Sequence, residues 1–314
     1  RWSITPGLRF ENIVTRSDGY FNQRVLDGAG NVVVQNKVYD QQGRRRHFLI
    51  GGLGITYKPG ERMEAYGNFS QNYRAINFTD LRIVNPNFVV DSNLRDERGF
   101  TFDLGIRNKG QQAVNYEFTA FYVRYNGKIG QILRADQPPL YNDYRLRANI
   151  SDARNVGIES FAEADLLQLA GRTPAKTRLA LFLNAALVDA RYVNTEDASV
   201  RNKKVEMAPP VMLRSGLSFR HGNWRAAFQY AWTAGHYSDA TNAVRTATAV
   251  EGRIPAYQVA DLSASWQWKQ FTIEASCNNL FNTPYFTRRA ESYPGPGIIP
   301  ADGRGVYVTV GGRF

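Results

Sequence analysis

The last ten residues, GVYVTVGGRF, put Val306, Val308, Val310 and Phe314 on every second position. A period of two is the mark of a β-strand, whose side chains point alternately to two faces, and one of those faces is here wholly apolar. The same rhythm recurs at approximately 2–14, 46–57, 62–73, 99–108, 113–125, 155–168, 177–190, 211–220, 223–235, 257–268, 270–282 and 304–314. No helical period competes with it. The one helix-prone stretch, FAEADLLQLAG, still fits a strand through Ile158 and Phe161, and we assign it to one.

The connections alternate in length. KPGE, KGQQ, LAGRTPAK, HGN and the corner at Trp268–Gln270 are short, whereas 15–45, 74–98, 126–154, 191–210, 236–256 and 283–303 are all long. In an up-and-down sheet the short connections fall at one end and the long ones at the other. Compact soluble domains rarely carry many long structureless connections, but outer-membrane barrels pair short turns on one side with long loops on the other.

The faces agree with that reading. One phase holds Phe102, Leu104, Ile106, Leu179, Leu181, Leu183, Trp224, Phe228, Trp232, Leu262, Trp266, Ile273, Val308 and their neighbours, without a charge. The other holds Asp103, Arg107, Glu117, Arg178, Arg214, Arg225, Asp261, Glu274 and Arg313 in mid-strand. A Lys or Arg facing lipid at the midplane costs ~2–4 kcal/mol, which accounts for the clean face. Trp2, Tyr57, Trp224, Trp232, Trp266, Trp268 and Phe271 fall near segment ends, as interfacial aromatic girdles do. A soluble sandwich would also have an uncharged core face, but neither one-sided loop lengths nor girdles follow from it. Mean hydropathy is −0.42, and a spanning helix would need a far more apolar stretch than any present; barrel strands average out in such a measure. The expected fold is all-β, a transmembrane antiparallel up-and-down β-barrel.

Other classes find little support. The formal charge is +11 and the pI about 9.7, yet the basic residues are dispersed and the aromatics lie on the uncharged face, so no nucleic-acid stacking platform forms. A single cysteine, Cys277, excludes a disulfide framework. His47, His221 and His236 have no metal-site spacing, and no cofactor is expected. No Gly-x-Ser-x-Gly motif marks a hydrolase. The chain opens on RWSITPGLRFENI, in mid-strand pattern with no leader-like region, so the N-terminus is expected to be cut.

Four stretches resemble the C-terminal part of the barrel of TonB-dependent outer-membrane receptors. WSITPGLRFE (Trp2–Glu11) is similar to a mid-barrel strand of that family, and NFSQNYRAINFTDLRIVNPNFVVDSNLRDERGFTFDLGIR (Asn68–Arg107) to its Ser-x-x-Phe-Arg-Ala-Pro segment followed by Asn-Pro-Asn-Leu and a Glu-x-Gly strand. CNNLFNTPYF (Cys277–Phe286) resembles the Asn-Leu-Phe-Asn-x-x-Tyr signature of the penultimate strand, and Phe314 the terminal signal read by the barrel assembly machinery. Ile76 and Gly312 depart from the family pattern, which has proline and an aromatic at those places. The resemblance implies a barrel of twenty-two strands around an N-terminal plug; residues 1–314 would supply about twelve of them, without plug or TonB box.

The implied activity is uptake, not catalysis, at the outer membrane of a Gram-negative bacterium. Extracellular loops capture a ferric chelate and TonB drives the plug. FTDLRIVNPNFVVDSNLRDERG and ESYPGPGIIPADGRG look most like the ferric dicitrate type of receptor. A haem branch is disfavoured because no histidine lies between Arg74 and Asn85. Basic residues outnumber acidic ones in the long connections, and guanidinium forks suit carboxylates. The ligand-contact candidates are Arg44, Arg45, Arg46, Arg74, Arg82, Arg134, Arg145, Arg147, Arg245, Arg288 and Arg289, with Tyr20, Tyr141, Tyr237 and Tyr293 as possible mouth residues. The other implied partners are the TonB complex, outer-membrane lipid and lipopolysaccharide. A complete twelve-stranded passive porin and an outer-membrane enzyme are the alternatives, and an upstream plug-coding region separates the porin from the receptor.

Overall fold

In the computed structural model the described residues are 1–26, 29, 31–81, 88–108, 113–134, 144–172, 174–195, 197–246, 249–290 and 297–313. The strands are β1 (Trp2–Leu26), β2 (Val32–Tyr57), β3 (Met63–Arg74), β4 (Phe88–Val90), β5 (Glu97–Asn108), β6 (Val114–Arg134), β7 (Tyr144–Asp165), β8 (Thr177–Val193), β9 (Val211–His221), β10 (Trp224–Thr233), β11 (His236–Tyr237), β12 (Arg253–Ile254), β13 (Tyr257–Trp268), β14 (Phe271–Asn278), β15 (Phe286–Ala290), β16 (Gly297–Pro300) and β17 (Gly305–Gly312). Two single-turn helices, α1 (Phe78–Leu81) and α2 (Leu166–Leu169), interrupt them.

Twelve strands form one antiparallel path, β1-β2-β3-β5-β6-β7-β8-β9-β10-β13-β14-β17. Consecutive strands are neighbours throughout, the up-and-down order expected from the alternation. Among the described residues the path does not close, and β1 and β17 are its edges. A closed twelve-stranded porin wall is therefore not what these strands form.

Register fixes the faces. Leu181, Leu217, Phe228, Leu262, Cys277 and Val306 stand side by side on six successive strands. Nearer the short turns, the opposite phase aligns Arg178, Arg220, Arg225, Ser265, Glu274 and Thr309, and those residues line an open polar hollow of about 610 Å³. The apolar phase is uncovered: Leu104 is 52% exposed, Trp224 53% and Val308 67%. In a sandwich these side chains would be the core. Instead the buried apolar residues gather at the long-connection end, around Ile132, Ala148, Ile150, Tyr192, Val200 and Val205. A wide exposed apolar belt with its core displaced to one end is what hydrocarbon, not protein, is suited to cover.

Aromatic rings mark the lower rim of the belt. Trp2 packs on Tyr57 at 4.6 Å between centroids, and Trp224, Trp266, Trp268 and Phe271 follow one another at 5.5–6.3 Å. All lie at short-turn ends. Gly222, at φ +53°, opens the two-residue turn between β9 and β10, a conformation that costs glycine little.

Three expectations need correction. The connections 15–45 and 126–154 are largely strand, since β1 runs to Leu26, β2 starts at Val32, β6 continues to Arg134 and β7 starts at Tyr144. Above the belt both faces of a hairpin lie outside lipid, so hydrophobic alternation fades while the hydrogen-bond ladder continues. The stretch FAEADLLQLAG is strand only to Asp165, whose carboxylate accepts hydrogen bonds from the Leu167 and Gln168 N–H groups and caps α2. The segment 270–282 stops pairing at Asn278, and Asn279 turns the chain at φ 49°. Phe314 and its predicted assembly role lie outside the described residues.

Arginine at an outward or an inward position should separate the two faces. Leu262→Arg or Val308→Arg in the full-length protein is expected to lower barrel stability by ~2–4 kcal/mol and abolish the heat-modifiable folded band in outer-membrane fractions, whereas Ser263→Arg and Thr309→Arg leave it in place.

Candidate functional site

The long-connection end builds a cavity of about 410 Å³ from three sources. Arg74, at the top of β3, and Asp80 of α1 form one wall. Gln131, Arg145 and Arg147 come from the upper β6–β7 hairpin, and Asp239, Glu251, Arg288 and Arg289 from the later connections.

Two register shifts, at Tyr125/Lys128 and Lys128/Ile129, re-aim that hairpin. Above them it is packed on both faces. Ile132, Ala148 and Ile150 meet Tyr192, Val200, Val205 and Ala240, while Ile129 meets Ile76 and Leu94. Above Asp152 the edge of β7 no longer pairs with β8, and β4 takes its place in parallel, Phe88 opposite Arg145 and Val90 opposite Arg147.

Ion pairs hold the segment between β3 and β5 in that position. Arg74 donates to both oxygens of Asp80 at 2.9 and 3.0 Å and to Glu97 at 2.9 Å. Arg147 stands 3.8 Å from the same Asp80 carboxylate. Glu97 also accepts the Ile129 N–H at 2.9 Å. From β2, Arg46 pairs with Asp96 at 2.6 Å and Arg44 donates to the Leu94 carbonyl at 2.9 Å. On the other side Arg145 pairs with Glu251 at 3.1 Å, and Arg289 donates to the carbonyls of Ala249 and Arg253.

Two polar atoms of the cavity residues are enclosed and meet no hydrogen-bond partner among the described residues, Asp239 Oδ1 and Arg289 Nε. Asp239 is only 7% exposed, and its other oxygen accepts from Thr241. Unsatisfied buried polar atoms are uncommon and costly, which sets these two apart from the paired groups around them.

The candidate arginines thus fall into distinct places. Arg74, Arg145, Arg147, Arg288 and Arg289 meet in the cavity. Arg44 and Arg46 pin the segment between β3 and β5. Arg134 pairs with Asp197 at 2.7 Å, and Arg245 is exposed, its backbone bridged to Gly252. Arg45, one residue out of phase with Arg44 and Arg46, shares the outer face with Val14 and Leu49. Arg82 lies outside the described residues, as do Tyr141 and Tyr293. Tyr20 packs against Tyr39 high on the β1–β2 hairpin, and Tyr237 is in β11. Sequence reasoning missed the acids Asp80, Glu206, Asp239 and Glu251, which thread the basic wall; single acids in loops carry no spacing that would have found them. Among the described residues no cluster of His, Cys, Asp or Glu is arranged to hold a metal.

A twelve-stranded antiparallel wall with an apolar outer belt, a polar inner face and loop-built cavities at one end defines a large transmembrane β-barrel. Residues 1–280 match the family described as TonB dependent receptor-like, beta-barrel, and the chain belongs to it. This is a family of outer-membrane β-barrel receptors of Gram-negative bacteria, transporters rather than enzymes. Among solved structures, the ferric citrate transporter FecA in its unliganded form is similar with a TM-score of 0.73 at 19% identity, over 99% of this chain and 42% of that one. The ferric yersiniabactin uptake receptor FyuA from Yersinia pestis gives 0.72 at 17%, over 99% and 43%. The siderophore receptor PiuA from Acinetobacter baumannii gives 0.70 at 15%, over 99% and 40%. At these identities the likeness is one of fold, and the chain spans less than half the length of each.

Removing the carboxylate that both Arg74 and Arg147 face should free the segment between β3 and β5. Asp80→Asn is expected to lower its local stability by about 2 kcal/mol, read as faster amide exchange at residues 88–97 with β13 and β14 unchanged. The Asp197 tether is pH-dependent. Burial pushes its carboxyl up, but hydrogen bonds from Ser199 and the Arg134 guanidinium outweigh that and hold it below the usual range. A lowered carboxyl stabilises the fold above the unfolded value of about 3.9 and loses that contribution as pH falls through the lower folded value. The connection 197–210 should therefore keep its exchange protection at pH 5 and lose it only below about pH 4, and Asp197→Asn should remove the dependence.

Proposed function

We propose that this chain is the C-terminal part of the barrel of an outer-membrane receptor that takes up an anionic ferric chelate, ferric citrate or a siderophore, with energy delivered through TonB by an N-terminal plug. The reading rests on the mouth cavity, where Arg74, Arg145, Arg147, Arg288 and Arg289 converge with unpartnered polar atoms on Asp239 and Arg289. A carboxylate-bearing complex supplies oxygens that suit guanidinium forks. Arg288 is exposed within the wall and has no ion-pair partner among the described residues, so it is the readiest to meet an incoming anion. Arg74 and Arg147 share Asp80 and act chiefly as scaffold. The names of the similar structures, a ferric citrate transporter and siderophore receptors, agree with this chemistry.

Uptake of radioiron from ferric citrate and from catecholate and hydroxamate chelates, in an iron-starved strain carrying only the full-length gene, tests the reading. Arg288→Gln is expected to weaken binding of the true ligand about tenfold, near 1.4 kcal/mol, without changing the amount of folded receptor. Uptake of no chelate above a receptor-null strain would overturn the assignment, and unchanged affinity in the variant would move the site out of this cavity.

A further inference from the structure

The hollow at the short-turn end of the inner wall takes no part in the mouth, yet it gathers uncommitted charge. The two-residue turn after β9 sets Arg220 opposite Arg225, and the β8–β9 register sets Arg178 opposite Arg220. Three guanidiniums therefore stand side by side, where like charges on facing strands repel. Arg178 is neutralised by Glu163 and Asp165. Arg220 and Arg225 are exposed and make no ion pair or side-chain hydrogen bond among the described residues. In the same lateral row the next acid beyond Arg225 is Glu274, two strands away with Ser265 between them.

Small side chains give the pair room. Ser218, Ala227, Ser263 and Ser276 form the next lateral row above it, and the hollow of about 610 Å³ that they help to line is of the size that holds a small ligand. It also connects upward. Tyr307 borders both this hollow and a second one of about 690 Å³, and Arg288 borders both that second hollow and the mouth cavity. A chain of openings thus descends the inner wall along β13, β14 and β17, from the mouth to an arginine pair about 26 Å below the end of β10. The middle opening carries Asp261 and Asp302, so an anion meets cations above and below it and acids between. Further round the wall the sign is reversed, with Asp103, Glu117, Glu159 and Glu163 facing the lumen from β5, β6 and β7.

We propose that Arg220 and Arg225 form a second site for the anionic ferric chelate, occupied after it leaves the mouth and before it leaves the barrel at the short-turn end. Cationic side chains lining a passage concentrate anions there, and two uncommitted guanidinium forks suit the oxygens of such a complex. The acids of the middle hollow divide this site from the mouth, so the chelate is held at one place or the other and not along the way. The site rests on the uptake proposed above, and its residues are none of those that build the mouth cavity.

The test separates equilibrium binding from transport in the full-length receptor, with radioiron presented as ferric citrate and as catecholate and hydroxamate chelates to an iron-starved strain that has no other receptor for them. For the chelate that is carried, Arg220→Gln/Arg225→Gln is expected to leave affinity on de-energised cells unchanged and to lower the maximal uptake rate at least about tenfold. Arg220→Lys/Arg225→Lys should restore most of that rate, and Arg313→Gln, which removes a lumen-facing charge outside the hollow, should not lower it. An unchanged rate in the glutamine pair would overturn this site and leave the mouth assignment standing, as would a parallel fall in affinity. Uptake of no chelate by the wild type would overturn both. A plug carboxylate held by the same pair gives a different result: the glutamine variant would admit large antibiotics with no chelate present, and that leak would also overturn the site. If the glutamine pair fails to give a heat-modifiable folded band, the single variants Arg220→Gln and Arg225→Gln, read against the lysine pair, decide on the same criteria.

Discussion

A backbone that crosses hydrocarbon has nowhere to send its N–H and C=O groups except to neighbouring backbone, and that requirement organises everything else in this chain. Each of the twelve strands finds its sequence neighbour, so the ladder is made of local hairpins and the side chains are left to divide between two solvents. The outer side carries Leu181, Leu217, Phe228, Leu262 and Val306 in unbroken lateral rows; the inner side carries the charges. Neither face needs a core of its own. The true core is small, and it is spent on fixing connections rather than on joining strands.

That division explains what could be read from the residues. Where a strand touches lipid on one side and water on the other, alternation is strong, and β5, β8, β9, β10, β13 and β17 are legible from it. Where both sides leave the membrane the alternation vanishes, and the upper halves of β1, β2, β6 and β7 read as loop although their ladders continue for many residues. Asp165 shows the opposite case, a capping carboxylate that ends a strand in a stretch whose composition fits either state. The cavity was partly legible, because guanidiniums concentrated in the long connections. Which of them would converge was not: Arg44, Arg45 and Arg46 are consecutive, yet alternation sends the middle one outward and the other two to anchoring roles. The juxtaposition of Arg124, Arg154 and Arg191 was not legible at all, since Arg154 and Arg191 become neighbours only through a strand register that extends beyond the recognisable segments.

Arginine stands in three different settings here, and the distinction lies in what surrounds each guanidinium. In the hollow of the wall Arg178 is paired with Glu163 and Asp165. At the mouth, arginines share carboxylates so closely that most are committed to holding the connections, and only a few polar atoms stay uncommitted. On the outer face Arg124, Arg154 and Arg191 stand side by side and share Asp152 and Asp189. The same residue type is thus tightly or loosely committed according to the local ratio of carboxylates to cations.

The short parallel strand β4 carries a consequence for the order in which the mouth is built. The edge of β7 it occupies comes into being only when the β6–β7 hairpin has formed, and the paired residues Phe88 and Arg145 are 57 positions apart in the chain. Until then Asp80 has no Arg147 to face, and Ile76 and Leu94 have no Ile129 to cover. The segment between β3 and β5 consequently takes its place only after the β6–β7 hairpin, and a wall interrupted before that hairpin would lack the edge on which β4 docks.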